Sequence, residues 1–352
     1  MTLQTVQTLR LAFGVWAAIA VAYGMAWQLS FIAPLFATIF LLFPVWIGWK
    51  MAVQLLIRLT FSLLLGLMIS EMFLDFPIIC ILLYGLLFFF IYYNDTPSAP
   101  PFAAMFMTIG ITIVPMMGLS GAGLPHFIAI ALLINMGVGL VFAWLFHTII
   151  PNSLAEQSSL QPPGKKPSPP PLPSREERIR LALNSTIVAL TAVIIFFSFN
   201  LVAYAFAMIQ ICFMVGEAKA NASAQALKAN AISCCIGGVA IIIAFNLLVA
   251  VPTYPFLLAL TLLFALYFSR QIFGGGKMAK IYISGLTTFL VLLGTSTMVE
   301  KVASTNFYLR IGQILFAGLF AVAGLILVEH FLRPEKRRKN DQLHLVTSTL
   351  TE

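Results

Sequence analysis

Hydrophobic positions along the chain come in long runs separated by short polar joints. A helix needs about 20 mainly apolar residues to cross a bilayer, and the first half offers six such runs, at 11–28, 30–49, 54–73, 76–93, 102–119 and 127–150. The second half offers six more, at 181–199, 201–216, 229–250, 254–272, 281–298 and 311–332. Between the halves, 151–178 holds Pro162, Pro163, Pro167, Pro169, Pro170, Pro171 and Pro173 among Ser, Gly and Lys. No spanning helix forms from such a segment, and it is predicted to be an extended, semi-rigid tether of about 28 residues. The pattern divides the chain into a first membrane unit (1–150), the linker (151–178), a second membrane unit (179–333) and a polar tail (334–352). The predicted class is all-α, polytopic, with about twelve transmembrane helices in two parallel six-helix repeats.

The two halves also resemble each other. A shift of 170 aligns Arg10-Leu11-Ala12 with Arg180-Leu181-Ala182, and Ala33, Phe36, Ala37 and Ile39 with Ala203, Phe206, Ala207 and Ile209. It also sets Arg58 opposite Lys228. With a larger shift Gly110 and Thr112 match Gly285 and Thr287, and at the end His147 and Pro151 match His330 and Pro334. Apolar chains match by chance easily, so the shared order of helices and basic positions carries more weight than the identities. An even number of spans in each half gives both halves one orientation. In parallel repeats of this kind the substrate site commonly lies between the halves, near the midplane.

Composition agrees with a lipid solvent. Of the 352 residues 61% are hydrophobic and only 9% charged, against about 25% charged in soluble domains. The net charge of +8 does not indicate nucleic acid, because no basic aromatic platform is present. Its distribution reads as topology. If the N-terminus is cytoplasmic, all but Lys301 and Arg310 of the 20 basic residues fall on the cytoplasmic side, while Glu71, Asp75 and Glu300 fall outside. Both termini are then cytoplasmic. The first apolar run lacks a small-residue cleavage site and is expected to be a retained span.

At this point the chain resembles the fusaric-acid-resistance and aromatic-acid-exporter superfamily. Its six-span modules open with an Arg before a small, apolar helix, followed by a helix with aromatics and Pro, then a basic residue leading into a Gly-containing third helix. Here these are Arg10 with 11–28, Phe31–Pro44, and Arg58 with Gly66; the second copy has Arg180, Phe206–Gly216, and Lys228 with Gly237 and Gly238. The resemblance covers nearly the whole chain outside the linker and tail. It implies a bacterial inner-membrane exporter of small organic anions such as aromatic carboxylates, working with a periplasmic membrane-fusion adaptor and an outer-membrane channel; a homodimer is a further expectation. Larger members carry a soluble domain after the first six spans, where this chain has only its Pro-rich linker. A small branch found beside periplasmic adaptor proteins matches its size better.

Ionisable groups at membrane depth are costly and are functional candidates by default. Arg58 and Lys228 are expected where the third helix of each half begins, either as a pair attracting an anionic substrate or as topology determinants that snorkel to the headgroups. Glu71 and Asp75, four residues apart on one helical face, either exchange protons with the periplasm or belong to an acidic outer loop. Asp95 precedes Pro97, Pro100 and Pro101, at an unwound segment or a plain cytoplasmic turn. Glu329, next to His330, is a further proton-relay candidate near the interface. Ser284, Thr288 and Thr295, with Thr287 beside them, form a hydroxyl stripe on the eleventh run; Thr108 and Thr112 precede Pro115 on the fifth. Such stripes line a wet cavity or serve interhelical packing. Thr112, Thr287 and Thr288 join Arg58 and Lys228 as candidate substrate contacts. Pro34, Pro44 and Pro115 interrupt their helices, as breaks beside transport sites do.

Cys80, Cys212, Cys234 and Cys235 all lie in apolar runs without metal-site spacing. No catalytic constellation, cofactor motif or phosphate loop is present, so the chain is expected not to be an enzyme, and active transport would draw on an ion gradient, protons first, or on a partner ATPase. Two alternatives remain beside the exporter. A passive anion channel needs no coupling ion, since a monoanion leaving a negative-inside cell gains roughly 2.3 kcal/mol per 100 mV. A non-transporting scaffold of an envelope complex would show a co-purifying partner and no flux.

Overall fold

The computed structural model describes residues 2–25, 27, 29–95, 102–121, 123–154, 174–216, 220–276, 278–298 and 303–332. Among these, twelve α-helices and no strand are present: α1 Leu3–Gly24, α2 Ile32–Leu41, α3 Trp49–Met68, α4 Pro77–Asn94, α5 Ala103–Gly118, α6 Leu124–Ile149, α7 Arg175–Ser198, α8 Ala205–Gly216, α9 Ala220–Ala250, α10 Tyr254–Phe273, α11 Ala279–Met298 and α12 Ala303–Leu332. A turn of π-helix, Ile69–Phe73, prolongs α3. Most of the linker and the whole polar tail lie outside the described residues.

Local chemistry accounts for several helix starts. The Thr2 side chain accepts from the Thr5 backbone N–H, and Ser174 accepts from Glu177 N–H ahead of α7, whose first turn also holds Glu176. Pro77, Pro125 and Pro255 stand in the first turns of α4, α6 and α10, where a missing N–H costs nothing.

Among the described residues, seven segments are long and apolar enough to cross a membrane: α1, α3 with its π turn, α4, α6, α7, residues 231–250 of α9, and α10. Large apolar side chains face outward along them, as with Val53, Ile57, Phe61 and Leu64 on α3 and Ile78, Leu82, Leu86 and Phe90 on α4. Their three- and four-residue spacing makes continuous outward stripes that only lipid can cover. The chain is a multi-pass α-helical membrane protein.

Two expected spans are shorter than the sequence suggests. The run 30–49 is helical only over α2, and 201–216 becomes a short 3₁₀ turn followed by α8. Helices of 10 and 12 residues rise about 15–18 Å, half of a hydrocarbon core. Pro44 has no N–H to continue α2, and Gly48, at φ 80°, turns the chain into α3. The other helices end near their expected limits, but several start earlier than expected: α1 and α12 by eight residues, α9 by nine, α7 by six and α3 by five.

Packing follows a repeated scheme. In the first half α1 packs on α2 and α6, α2 on α6, α3 on α5 and α6, α4 on α5, and α5 on α6. Six helices later the same pairs occur: α7 with α8 and α12, α8 with α12, α9 with α11 and α12, α10 with α11, and α11 with α12. The contacts between the halves are reciprocal, α1 with α10 and α7 with α4, α2 with α11 and α8 with α5. The buried core does not respect the sequence midpoint. One cluster joins α1, α2, α3 and α6 to α9, α10 and α11; the other joins α4 and part of α5 to α7, α8 and α12.

Candidate functional site

Successive helices alternate in direction, which gives the bundle two chemically different ends. Lys50, Arg178, Arg270 and Lys280 stand near helix termini at one, the basic end; Glu71 and Asp75 stand at the other, the acidic end. A tryptophan group marks the basic interface: Trp46 and Trp49 have ring centroids 5.5 Å apart, and Trp49 and Trp144 5.7 Å.

The most heavily engaged polar group lies at this basic end. Arg10 is 1% exposed, two turns inside α1. Its guanidinium donates to Asn152 Oδ1 at 3.0 Å and to the carbonyl oxygens of Phe43 and Pro44 at 3.2 and 3.1 Å. Asn152 Nδ2 donates to Pro44 O at 2.8 Å. The His147 ring nitrogens face Ala143 O at 2.8 Å and Phe43 O at 3.2 Å. The cause is the early end of α2. The chain just beyond it, at Phe43 and Pro44, has carbonyls with no helix to bond, and lipid cannot satisfy them, so three side chains from α1, α6 and the turn after α6 do so. Sequence reasoning placed Arg10 just outside the first span and gave it no role beyond the repeat. An Arg within helical reach of an apolar run is the signal that marks it.

The hydroxyl stripes occupy the tightest helix crossings. Where α3 crosses α5, a methyl on Gly66 would strike Gly110 O, and one on Gly110 would strike Ser62. Ser62 donates to Met107 O across this contact. The α9–α11 crossing is built alike. A methyl on Gly237 would strike Gly285 O and come 3.0 Å from Thr288 Cβ, and Ser233 Oγ donates to Ser284 Oγ at 2.9 Å. Thr112 is fully buried, with its hydroxyl donated to Thr108 O at 2.7 Å, and Thr108 donates to Ala104 O. Thr287, half-buried, donates to Ser284 O at 2.9 Å. Thr288 is buried. The Thr295 side chain is outside the described residues.

Arg58 stands nine residues beyond Trp49 on α3, about 14 Å deeper at 1.5 Å per residue, and is half-buried. That is well inside the helix, since α3 begins before the expected run. Lys228 lies in α9, eight residues after Ala220; its side chain is outside the described residues. The acidic candidates do not converge. Glu71, in the π turn, is exposed with Oε1 3.7 Å from His126 Nδ1 on the first turn of α6, and Asp75 is exposed nearby in sequence. Asp95, at the far end of α4, is exposed, and Glu329 is half-buried in the last turns of α12. These two belong to the basic end. His126 was not singled out from sequence; it joins Glu71 only through the meeting of the π turn with the start of α6.

The two seams between the halves are closed differently. On the α1–α10 seam, Trp16 Nε1 donates to Leu258 O at 2.9 Å and the Tyr254 hydroxyl donates to Ala20 O. On the α4–α7 seam, Arg178 donates to Tyr93 O at 2.8 Å and its guanidinium carbon lies 4.5 Å from the Tyr93 ring centre. Nearby, Tyr92 donates to Cys212 O on α8 at 2.9 Å. Among the described residues no cluster of three or more His, Cys, Asp or Glu is placed to hold a metal.

No curated protein and no solved structure matches the chain. Over residues 7–146, which run from the first turns of α1 almost to the end of α6, the chain is similar to the family described as "Protein of unknown function (DUF2955)", a membrane-protein family.

Proposed function

We propose that this chain is a secondary transporter of the bacterial inner membrane that exports small organic anions, aromatic carboxylates first among them. Its two halves are read as parallel six-helix repeats that move against each other in alternating access. The observation that carries the reading is the reciprocal packing of the halves: α1 on α10 with α7 on α4, and α2 on α11 with α8 on α5. Two like units meeting through two like seams have a pseudo-equivalent geometry on each side, which is what a site between repeats requires. The short helices α2 and α8 support it further, because each is shorter than the membrane is thick and each packs on the other half.

The basic end is proposed to be cytoplasmic, with both termini there, following the excess of Lys and Arg. Arg58 and Lys228 attract the anion from that side. Thr112, Thr287 and Thr288 enter its path only if the crossings that bury them loosen during the cycle. Glu71, with Asp75, and separately Asp95 and Glu329, are the groups through which a proton gradient would couple. A periplasmic adaptor and an outer-membrane channel complete the export route in this proposal, and the chain works as a homodimer. The DUF2955 likeness agrees with a membrane role and leaves the substrate to experiment.

The test in cells replaces both cations. Arg58→Ala with Lys228→Ala is expected to reduce efflux of a labelled aromatic carboxylate at least tenfold at unchanged protein level. Unchanged efflux removes the two cations from the anion path.

A further inference from the structure

The α4–α7 seam contains a cavity at its acidic end, of about 180 Å³. Its walls come mainly from the first two turns of α4 and the last two of α7, with Leu74 and Leu119 beside them; the lining is largely apolar, and Ser198 at the end of α7 also reaches it. The Tyr84 hydroxyl is already committed, donating to Ile111 O at 2.7 Å. Water needs two to four polar partners to occupy a cavity, and an apolar cavity of about 150 Å³ stays dry yet takes up a benzene-sized molecule.

The equivalent seam has no such wall. Under the 170-residue shift Val193 corresponds to Tyr23, and Ile194 to Gly24. Tyr254 of α10 lies directly over Gly24, where any side chain on the glycine would meet its hydroxyl. The Tyr254 ring therefore covers the end of α1 in the α1–α10 seam, at the position whose counterpart, Ile194, borders the α4–α7 cavity. The cavity is also continuous with the lipid-facing surface. Ile81 and Ile194 are each 36% exposed on its rim, and α4 carries Ile78 and Leu82, 77% and 70% exposed, beside it. A second copy of the chain would present a helix about 10 Å across, too wide for a slot between two packed helices. A single acyl chain suits the slot's volume, its largely apolar lining and its opening to lipid.

We infer that the acidic end of the α4–α7 seam is a binding site for one acyl chain of a membrane phospholipid, inserted sideways between the two halves. The site is independent of what the protein transports. An inserted chain fills the gap at the place where the twin seam carries the Tyr254 ring, and so completes the contact between halves on that side.

The test is native mass spectrometry of the full chain purified in mild detergent and supplied with palmitoyl-oleoyl phosphatidylglycerol. The wild-type chain is expected to retain one phospholipid after detergent washing. Val193→Tyr, which copies the twin seam, is expected to weaken retention at least tenfold, and Leu82→Tyr on the open lipid face is expected to leave it unchanged. No retained lipid on the wild type, or equal retention by Val193→Tyr, overturns the site. If Val193→Tyr does not fold, the wild-type chain is crosslinked with a phospholipid bearing a diazirine on its acyl chain. Adducts within 77–84 and 193–198 support the site; adducts confined to other segments overturn it.

Discussion

The two halves share their crossings but differ at their basic ends. Ser62, Gly66 and Gly110 hold α3 against α5 as Ser233, Gly237 and Gly285 hold α9 against α11. Yet Arg10 is buried and bonded to three oxygens, whereas Arg180, its counterpart under the same shift, is half-buried. His147 is buried beside Phe43 O, and its counterpart His330 is exposed. The lesson is that close helix contact imposes the same small residues on both halves, while the fastening of helix ends is local. In the transport reading, the first half is held together at this end by the Arg10 network.

Arginine substitutions break the comparison most strongly. Arg10→Ala empties the site of a buried side chain and removes its bonds to Asn152 Oδ1 and to the Phe43 and Pro44 carbonyls, and a loss of about 3 kcal/mol or more is expected. Arg180→Ala is expected to cost less than about 1 kcal/mol. Unfolding in mixed micelles measures both, and equal losses would show that the burial of Arg10 does not set the two arginines apart.

Next come the crossings, where the halves should behave alike. Gly66→Ala and Gly237→Ala push a methyl onto a facing backbone oxygen, and each is expected to cost about 1–3 kcal/mol. The two values should agree within about 1 kcal/mol; a large inequality would mean that the repeated geometry is not energetically repeated. Smaller effects are expected from the hydroxyls. Ser62→Ala and Ser233→Ala remove interhelical bonds that contribute about 0.6 kcal/mol on average in membrane proteins. Thr112→Val, whose hydroxyl bonds its own helix, should change stability by less than about 0.5 kcal/mol. A larger loss at Thr112 would show a second partner for that hydroxyl.

Much of this architecture is legible in the sequence, for physical reasons that particular residues make plain. Long apolar runs fix where helices form, because lipid leaves the backbone no other partner. The pairing of Gly66 with Gly237 and Gly110 with Gly285 was visible as a repeat, since close approach tolerates few residue types. The length of α2 was not, because hydropathy counts Phe43, Val45, Trp46 and Ile47 as readily in a turn as in a helix. Nor was the role of Arg10: its acceptors lie 33, 34 and 142 residues away in sequence. The Thr stripes show the complementary difficulty. Spacing places Thr108 and Thr112 on one face, but only the neighbour across that face decides whether it is wet, and here α3 packs against α5. Likewise Glu71 and Asp95 were grouped by chemistry, and the helix directions set them at opposite ends.

If the paired halves carry an organic anion across the membrane, as proposed, the purified chain in liposomes must show that flux. Radiolabelled benzoate uptake is followed with the pH gradient and the membrane voltage imposed separately. The account predicts flux above protein-free liposomes that requires the pH gradient and falls at least tenfold in the Arg58→Ala, Lys228→Ala double variant. Flux driven by voltage alone would replace the exporter with a channel, and no flux under either gradient, from folded protein, would contradict the transport claim itself.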